Sequence, residues 1–257
     1  MRRVVAASAV SVTVLGCLTS LSSAQTIVES LDGTVFPADA GWSYFAVGNS
    51  VPSNVAFLMG KGLIRQRTMG FGYAGQGGNG WNKLISVPHA SPFTLKARVR
   101  VLASEQWSFP FGTYFAFGQT GIALMSNLIS PYAWTWVSTP FDATQWHDYR
   151  MEVTACGAWT CFVDGVVFTQ GTGAQTSGDL LLAFGDGTGG ANADADYDSL
   201  SLTVNLGDGA DFNGDGAVDA ADLAILLGQW GLPGITDLNC SGSTDAGDLA
   251  VLLGQWG

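Results

Sequence analysis

Charge is the scarcest property of this 257-residue chain. Lys, Arg, Asp and Glu together make up 12% of it, about half the roughly 25% of an ordinary globular protein. Ten Lys and Arg stand against 21 Asp and Glu, a net charge of −11, and no Lys or Arg follows Arg150. That excludes the basic patches that hold nucleic acid or an anionic membrane surface. Histidine occurs twice, at His89 and His147, and no Cys/His cluster has the spacing of a metal site. Glutamate in the body of the chain is limited to Glu29, Glu105 and Glu152. Glycosidase chemistry needs two carboxylates facing each other across a cleft, about 5–5.5 Å apart in retaining enzymes, and no alternating acidic set around these three supplies them. Nucleophile-elbow and phosphate-loop motifs are missing too. Outside the N-terminal segment, no apolar run approaches the roughly 18–20 residues of a membrane span.

What is present begins with an export signal. Arg2 and Arg3 precede an apolar run from Val4 to about Leu21, and Ser22-Ser23-Ala24 is a small-residue cleavage site before Gln25. Residues 1–24 are expected to be a secretory signal peptide, which makes the protein extracellular. In a rival reading Val14-Leu15-Gly16-Cys17 resembles a lipobox, and the protein is anchored to the membrane through Cys17. After cleavage three cysteines remain. Cys156 and Cys161 flank GAWT between two strand-like runs, so a local Cys156–Cys161 disulfide is expected, two buried thiols being the alternative. Cys240 has no evident partner in the sequence.

The last fifth of the chain is duplicated. DFNGDGAVDAADLAILLGQWG starts at Asp211 and DLNCSGSTDAGDLAVLLGQWG at Asp237, 26 residues later. Each copy has the ligand spacing of a twelve-residue calcium loop, in which alternate residues of a curling chain turn oxygens toward a hard cation. The first set is Asp211, Asn213, Asp215, the Ala217 carbonyl, Asp219 and Asp222, with Gly216 at the sharp turn. The second is Asp237, Asn239, Ser241, Ser243, Asp245 and Asp248, with Gly242 at the turn. Two Ca2+ ions are expected, the second held more weakly by three carboxylates than the first by four. A short helix follows each loop. Leu223, Leu226, Leu227 and Trp230 recur in the second copy as Leu249, Leu252, Leu253 and Trp256, two apolar stripes able to bury each other about a pseudo-twofold axis. Residues 207–257 hold eight Asp and no Lys, Arg or His, so folding there is expected to be coupled to metal binding.

This tail resembles the bacterial type I dockerin repeat, which pairs two calcium loop–helix units with Asp at the twelfth position, as Asp222 and Asp248 are here. The resemblance implies docking onto a cohesin module of a scaffold that gathers secreted polysaccharide-degrading proteins. Two departures concern the partner and leave the ion's ligands untouched. The hydroxyl residues that dockerins commonly use at positions 10 and 11 are Ala220–Ala221 and Ala246–Gly247, and the basic helix residues are replaced by Leu227–Gly228 and Leu253–Gly254.

Residues 26–206 form the remaining body, joined to residues 211–257 by a Gly/Asp linker at 207–210. Alternation recurs there in short runs. In TLKARVRV (94–101), Lys96, Arg98 and Arg100 share one face and Leu95, Ala97, Val99 and Val101 the other. YRMEV (149–153) and SLSLTV (199–204) behave alike, and further runs lie at 41–47, 54–67, 113–126, 132–138, 159–169 and 179–184. No segment before Asp208 has a helical period. Many short strands separated by Gly-rich turns argue for a mainly β fold, an antiparallel β-sandwich. QWHDYRMEVTACGAWTCFVDGVVF (145–168) resembles the central hairpin of concanavalin A-like, laminin-G-like jelly rolls, and ADYDSLSLTV (195–204) their last strand.

That fold hosts lectins, binding modules, glycosidases and structural domains alike. Sugar sites set aromatic faces against C–H surfaces, and the candidates are Trp81, with Tyr73, flanking the Gly-rich loop at 70–82, Trp107, and Trp134 with Trp136 on one strand face. Trp146 and Trp159 are assigned to the core, and Asp194, Asp196 and Asp198 to a solvated loop, with a calcium site at Asp198 and Asp32 as the alternative. The sequence therefore describes a secreted, non-catalytic carbohydrate- or matrix-binding protein with a calcium-dependent attachment module, in polysaccharide breakdown. A glycoside hydrolase or lyase, or a structural surface protein, is the alternative. Its expected partners are a glycan and a cohesin-like scaffold.

Overall fold

A computed structural model describes residues 26–46, 55–58, 62–69, 78–87, 90–106, 112–132, 138–187, 191–206, 209–213 and 215–257. The signal segment with Cys17, residues 207 and 208 of the linker, Tyr73, His89, Trp107, Trp134 and Trp136 lie outside these residues. Numbered along the chain, the strands form two sheets. The first runs in the order β13 (Val166–Gly171), β12 (Trp159–Val163), β11 (His147–Val153), β6 (Phe93–Gln106), β15 (Ala191–Asn205), β4 (Leu63–Arg67), β3 (Val55–Leu58), with β1 (Thr26–Leu31) also beside β15. The second runs β10 (Thr139–Pro140), β9 (Leu128–Tyr132), β8 (Thr120–Met125), β7 (Thr113–Phe117), β14 (Gly178–Asp186), β5 (Asn79–Val87), β2 (Ser43–Ala46). Neighbouring strands pair antiparallel throughout. Two helices follow, α1 (Ala220–Gly228) and α2 (Ala246–Gly254). The chain is thus the expected antiparallel sandwich, followed by the two expected short helices.

Two-residue periodicity decides which atoms meet between the sheets. On β6, Leu95, Ala97, Val99 and Val101 are buried while Lys96, Arg98 and Arg100 face out, as the alternation predicts. Tyr149, Met151 and Val153 on β11 and Leu200, Leu202 and Val204 on β15 point inward beside them. The second sheet answers with Phe115, Phe117, Ile122, Leu124, Leu180, Leu182 and Phe184. Phe93 meets Phe117 edge-on at 5.0 Å across the layer, an arrangement that adds about 0.5–1.5 kcal/mol beyond burial alone.

Local sequence sets the turns. Asp164 and Gly165, between β12 and β13, both adopt positive φ, 51° and 80°, as a type I′ hairpin requires. The Asp164 carboxylate accepts from the Asp148 amide at 3.0 Å and lies 2.7 Å from His147 Nδ1. The other imidazole nitrogen lies 3.0 Å from the Asp142 carbonyl, and the ring packs 4.7 Å from Phe141. His147 is therefore a clip between turns.

Asp194, Asp196 and Asp198 correct the sequence reading. They belong to the central strand β15, not to a loop. Asp196 is fully buried, with Arg65 Nε at 2.6 Å on one side and Arg100 Nη2 at 2.9 Å on the other. Asp194 accepts from the Thr68 and Met69 amides, and Asp198 lies 3.6 Å from Arg98. Asp32 bonds Thr34 instead, so the two acids of the alternative calcium site have separate partners. Trp146 is also reassigned, from the core to the outer face, where Arg100 and Arg98 stand 4.8 and 5.7 Å over its ring. A like-charged triplet can sit mid-sheet because four Arg on the flanking strands bracket it, Arg67 standing 3.5 Å from Asp194.

Burial pushes the Asp196 carboxyl up, but hydrogen bonds from Arg65 and Arg100 outweigh it and hold the group below the usual carboxylate range. Its stabilisation is accordingly complete above the unfolded value, about 3.9, and is lost as pH falls through the lower folded value. Asp196→Ala leaves two guanidinium groups facing each other across β15 and is expected to cost about 3 kcal/mol, measured by urea unfolding at neutral pH, with the deficit shrinking in strong acid.

Candidate functional site

The two C-terminal repeats reproduce each other atom for atom at several points. The position-6 glycines take φ of 90° at Gly216 and 103° at Gly242, a region closed to most side chains. Each loop then folds onto its first residue, with Gly216 N donating to Asp211 Oδ2 at 2.9 Å and Gly242 N to Asp237 Oδ2 at 2.8 Å. Asn213 Oδ1 accepts from the Asp215 amide and Asn239 Oδ1 from the Ser241 amide. Asp219 and Asp245 cap the helices, completing capping boxes with Asp222 and Asp248, which satisfies helix amides that would otherwise lack partners.

The twelfth-position carboxylates lie deepest. Asp222 and Asp248 are fully buried. Asp222 accepts from the Phe212, Asn213 and Asp219 amides, and Asp248 from those of Asn239 and Asp245. Burial pushes the Asp222 carboxyl up, and these amides more than offset it, holding it below its ordinary value. Residues 207–257 contain no cationic side chain to neutralise either group.

The helices bury less than the stripe reading expects. Leu226 and Leu252 meet in a small core with Ala210 and Val218, with Leu223, Leu249, Phe212 and Leu238 at its edge. Leu227, Trp230, Leu253 and Trp256 are instead about half exposed. Each helix ends before its Trp, so the nine-residue helices present two turns and not a full stripe. The repeats also cross-bond: Gly231 N donates to Thr244 O at 2.9 Å and Gly257 N to Val218 O at 3.2 Å, the eighth position of the other loop in each case. Ala210, assigned to the linker, belongs to this core.

A hard cation suits the donor types, which are carboxylate, amide and hydroxyl oxygens with a carbonyl at position 7. Asp215, Asp219 and Asn213 remain at the rim of the first loop, Asp245, Asn239 and Ser241 at that of the second. Among the described residues no three Asp, Glu, His or Cys side chains converge into a closed metal-binding group. The donor types are those a hard cation takes, while the inner carboxylates are turned onto loop amides.

The cysteine expectation is overturned. Cys156 is bonded to Cys240, across 84 residues, and Cys161 is a free, buried thiol. Cys161 sits on β12 between inward-facing Trp159 and Val163, so it points into the core and away from Cys156 in the turn. Trp81 is corrected too. It is 3% exposed, packed edge-on against Phe36 at 5.1 Å and Tyr44 at 5.5 Å, and faces the interior of the sandwich and not a ligand. Trp42, which the sequence did not single out, is likewise core, edge-on to Phe184 at 5.5 Å.

No protein-family model matches the chain, and no curated protein does either. Among solved structures it is similar to a carbohydrate esterase from Shiga toxin-encoding bacteriophage phi24B, at 14% identity and TM-score 0.48, over 68% of this chain and 97% of that one. It is similar to an endo-1,3-beta-glucanase from Streptomyces sioyaensis at 16% identity and TM-score 0.43, over 71% and 97%. Peanut lectin aligns at 8% identity and TM-score 0.47, over 70% and 98%. At these values the likeness carries no functional argument. Among the described residues no helix is long and apolar enough to cross a membrane.

Trp81→Ala is expected to destabilise the sandwich by roughly 3–5 kcal/mol, the cost of emptying a large aromatic site, in chemical denaturation. A variant that keeps its stability but loses retention on a polysaccharide would restore Trp81 as a ligand contact.

Proposed function

We propose that this chain is a secreted, non-catalytic carbohydrate- or matrix-binding protein. In this reading a concanavalin A-like jelly-roll sandwich carries the ligand surface. The C-terminal dockerin-like pair binds two calcium ions and attaches the protein to a cohesin-like scaffold. The observation that carries the attachment half is the matched loop geometry: two positive-φ glycines, each donating its amide to the Asp that opens its loop. When bound, calcium supplies the positive charge this acidic segment lacks. In the first loop Asp211, Asn213, Asp215, Asp219, Asp222 and the Ala217 carbonyl are the residues to hold it. The corresponding residues of the second loop are Asp237, Asn239, Ser241, Asp245, Asp248 and the Ser243 carbonyl.

The binding half is favoured over hydrolysis by where the acids around the central strand are committed. Asp196 is held by Arg65 and Arg100, Asp148 and Asp198 by Arg98, Glu29 by Lys83 and Glu152 by Arg150. A general acid or nucleophile needs a carboxylate free to meet the substrate. The Cys156–Cys240 bond supports export, since such bonds persist in oxidising compartments.

Two measurements test the reading. Retention on a panel of polysaccharides without released sugar supports binding; released sugar makes the protein a hydrolase or lyase, and neither result makes it structural. Chelator is expected to abolish the helical circular dichroism of the tail. Asp211→Ala is expected to weaken calcium binding more than Asp237→Ala, since it removes a ligand from the loop with four carboxylates. Helicity that survives chelator unchanged sinks the metal-coupled folding of the repeats.

A further inference from the structure

The crosslink does not join two arbitrary surfaces. Cys156 lies in the turn between β11 and β12, and Cys240 is the fourth residue of the second loop. The Cys156 sulfur is also 3.6 Å from the carbonyl oxygen of Asp237, the residue that opens that loop. Asp237 is buried to 9% exposure, whereas its counterpart Asp211 is only partly covered.

Cys240 occupies a backbone position that a cysteine has no conformational reason to fill. Its φ is 59°, and among the described residues Asp164 is the other non-glycine with positive φ. L-residues with a Cβ visit that region rarely. The first loop has Gly214 at the same place in the sequence. A side chain in a glycine position is explained by its sulfur bond. The sandwich core and the core of the repeat pair are separate clusters, so the bond gives the pair a second covalent attachment besides the chain at 207–210.

We propose that Cys156 is a positioning residue for the second calcium loop, and that the Cys156–Cys240 bond pre-orders this loop against the sandwich. The inference rests on the calcium reading above. The second loop has three carboxylates to the first loop's four, and fewer charges leave less attraction to set against the entropy of ordering the loop. A crosslink that restricts the unbound loop lowers that ordering cost before the ion arrives. The first loop has no such bond and serves as the internal reference. Both cysteines of the bond are exposed, open to a dithiol reductant. Cys161 is fully buried, and burial pushes its thiol up to about 12, so it stays inert under the same treatment.

The test is calcium titration by calorimetry on the full chain, one loop at a time. With the first loop disabled by Asp211→Ala, adding Cys156→Ser is expected to weaken the remaining site about tenfold. With the second loop disabled by Asp237→Ala, the same change is expected to leave the first site within about twofold. Dithiothreitol on the oxidised parent gives the same selective loss, and reoxidation restores it, which covers the case in which the serine variant folds poorly. An unchanged second site, or an equal loss at both sites, overturns the positioning role while calcium binding stands. No calcium heat from the oxidised parent removes the calcium reading, and this inference with it.

Discussion

Strand β15 is hydrogen-bonded along both edges, and the sandwich is organised around it. One edge pairs with β6 from Ala191 to Val204. The other is shared between β4, opposite Asp194 to Tyr197, and β1, opposite Leu200 to Asn205. A strand with both edges occupied cannot slip by one residue without turning its whole apolar set outward. The register shift at Tyr197/Ser199 passes over Asp198, so Ala193, Ala195 and Tyr197 before it and Leu200 and Leu202 after it all face inward, and the shift at Asp194/Ala195 passes over Leu102 of β6. The Tyr197 hydroxyl, buried 2.6 Å from Thr113 Oγ1, reaches across to the other sheet. The cations of β4 and β6 close over Asp196 from either side, so the few charges this chain has are placed where they fix the register.

The C-terminal pair solves a different problem. It has too little apolar surface for a core of the usual kind: four fully buried apolar residues hold it together. Backbone amides turned onto carboxylates do much of the remaining ordering, and each such charge-assisted bond is worth about 1.5–3 kcal/mol. That arrangement gathers negative charge at two points of a segment that has no cationic side chain of its own. Acidic loops and small core are therefore one feature, because the same carboxylates that carry the charge also order the chain.

The sandwich was legible in the sequence wherever alternation was clean. Leu95 to Val101 and Tyr149 to Val153 could be assigned to faces because a two-residue period leaves no other choice. The loop glycines were legible for the same kind of reason, since a sharp turn at a fixed place in a ligand pattern needs positive φ. What was hidden depends on neighbours distant in sequence. Asp196 looks like part of a solvated acidic run until Arg65 and Arg100 are brought to its sides from 131 and 96 residues away. Trp81 has the same composition around it whether it faces a ligand or Phe36. The expected Cys156–Cys161 bond fails for a similar reason. Proximity in sequence favoured Cys161, while the alternation of Trp159, Cys161 and Val163 already directed that sulfur to the core. Period-two reasoning applied to β12 would have excluded the local bond and left Cys156 to find Cys240.

That pairing changes how the two halves should be regarded. A module on a flexible linker samples many orientations, and its loops order independently of what precedes them. Here the turn after β11 holds the second loop by a covalent bond, and Cys156 also approaches the backbone of the loop's first residue. The hairpin with the clearest sequence resemblance in the sandwich thus holds the loop with three carboxylates and not the one with four. The half-exposed Leu227, Trp230, Leu253 and Trp256 lie on the helices and just beyond them, while the crosslink engages the loop side of the pair. Attachment to the sandwich therefore uses the loop side and leaves the paired Leu and Trp side chains uncovered.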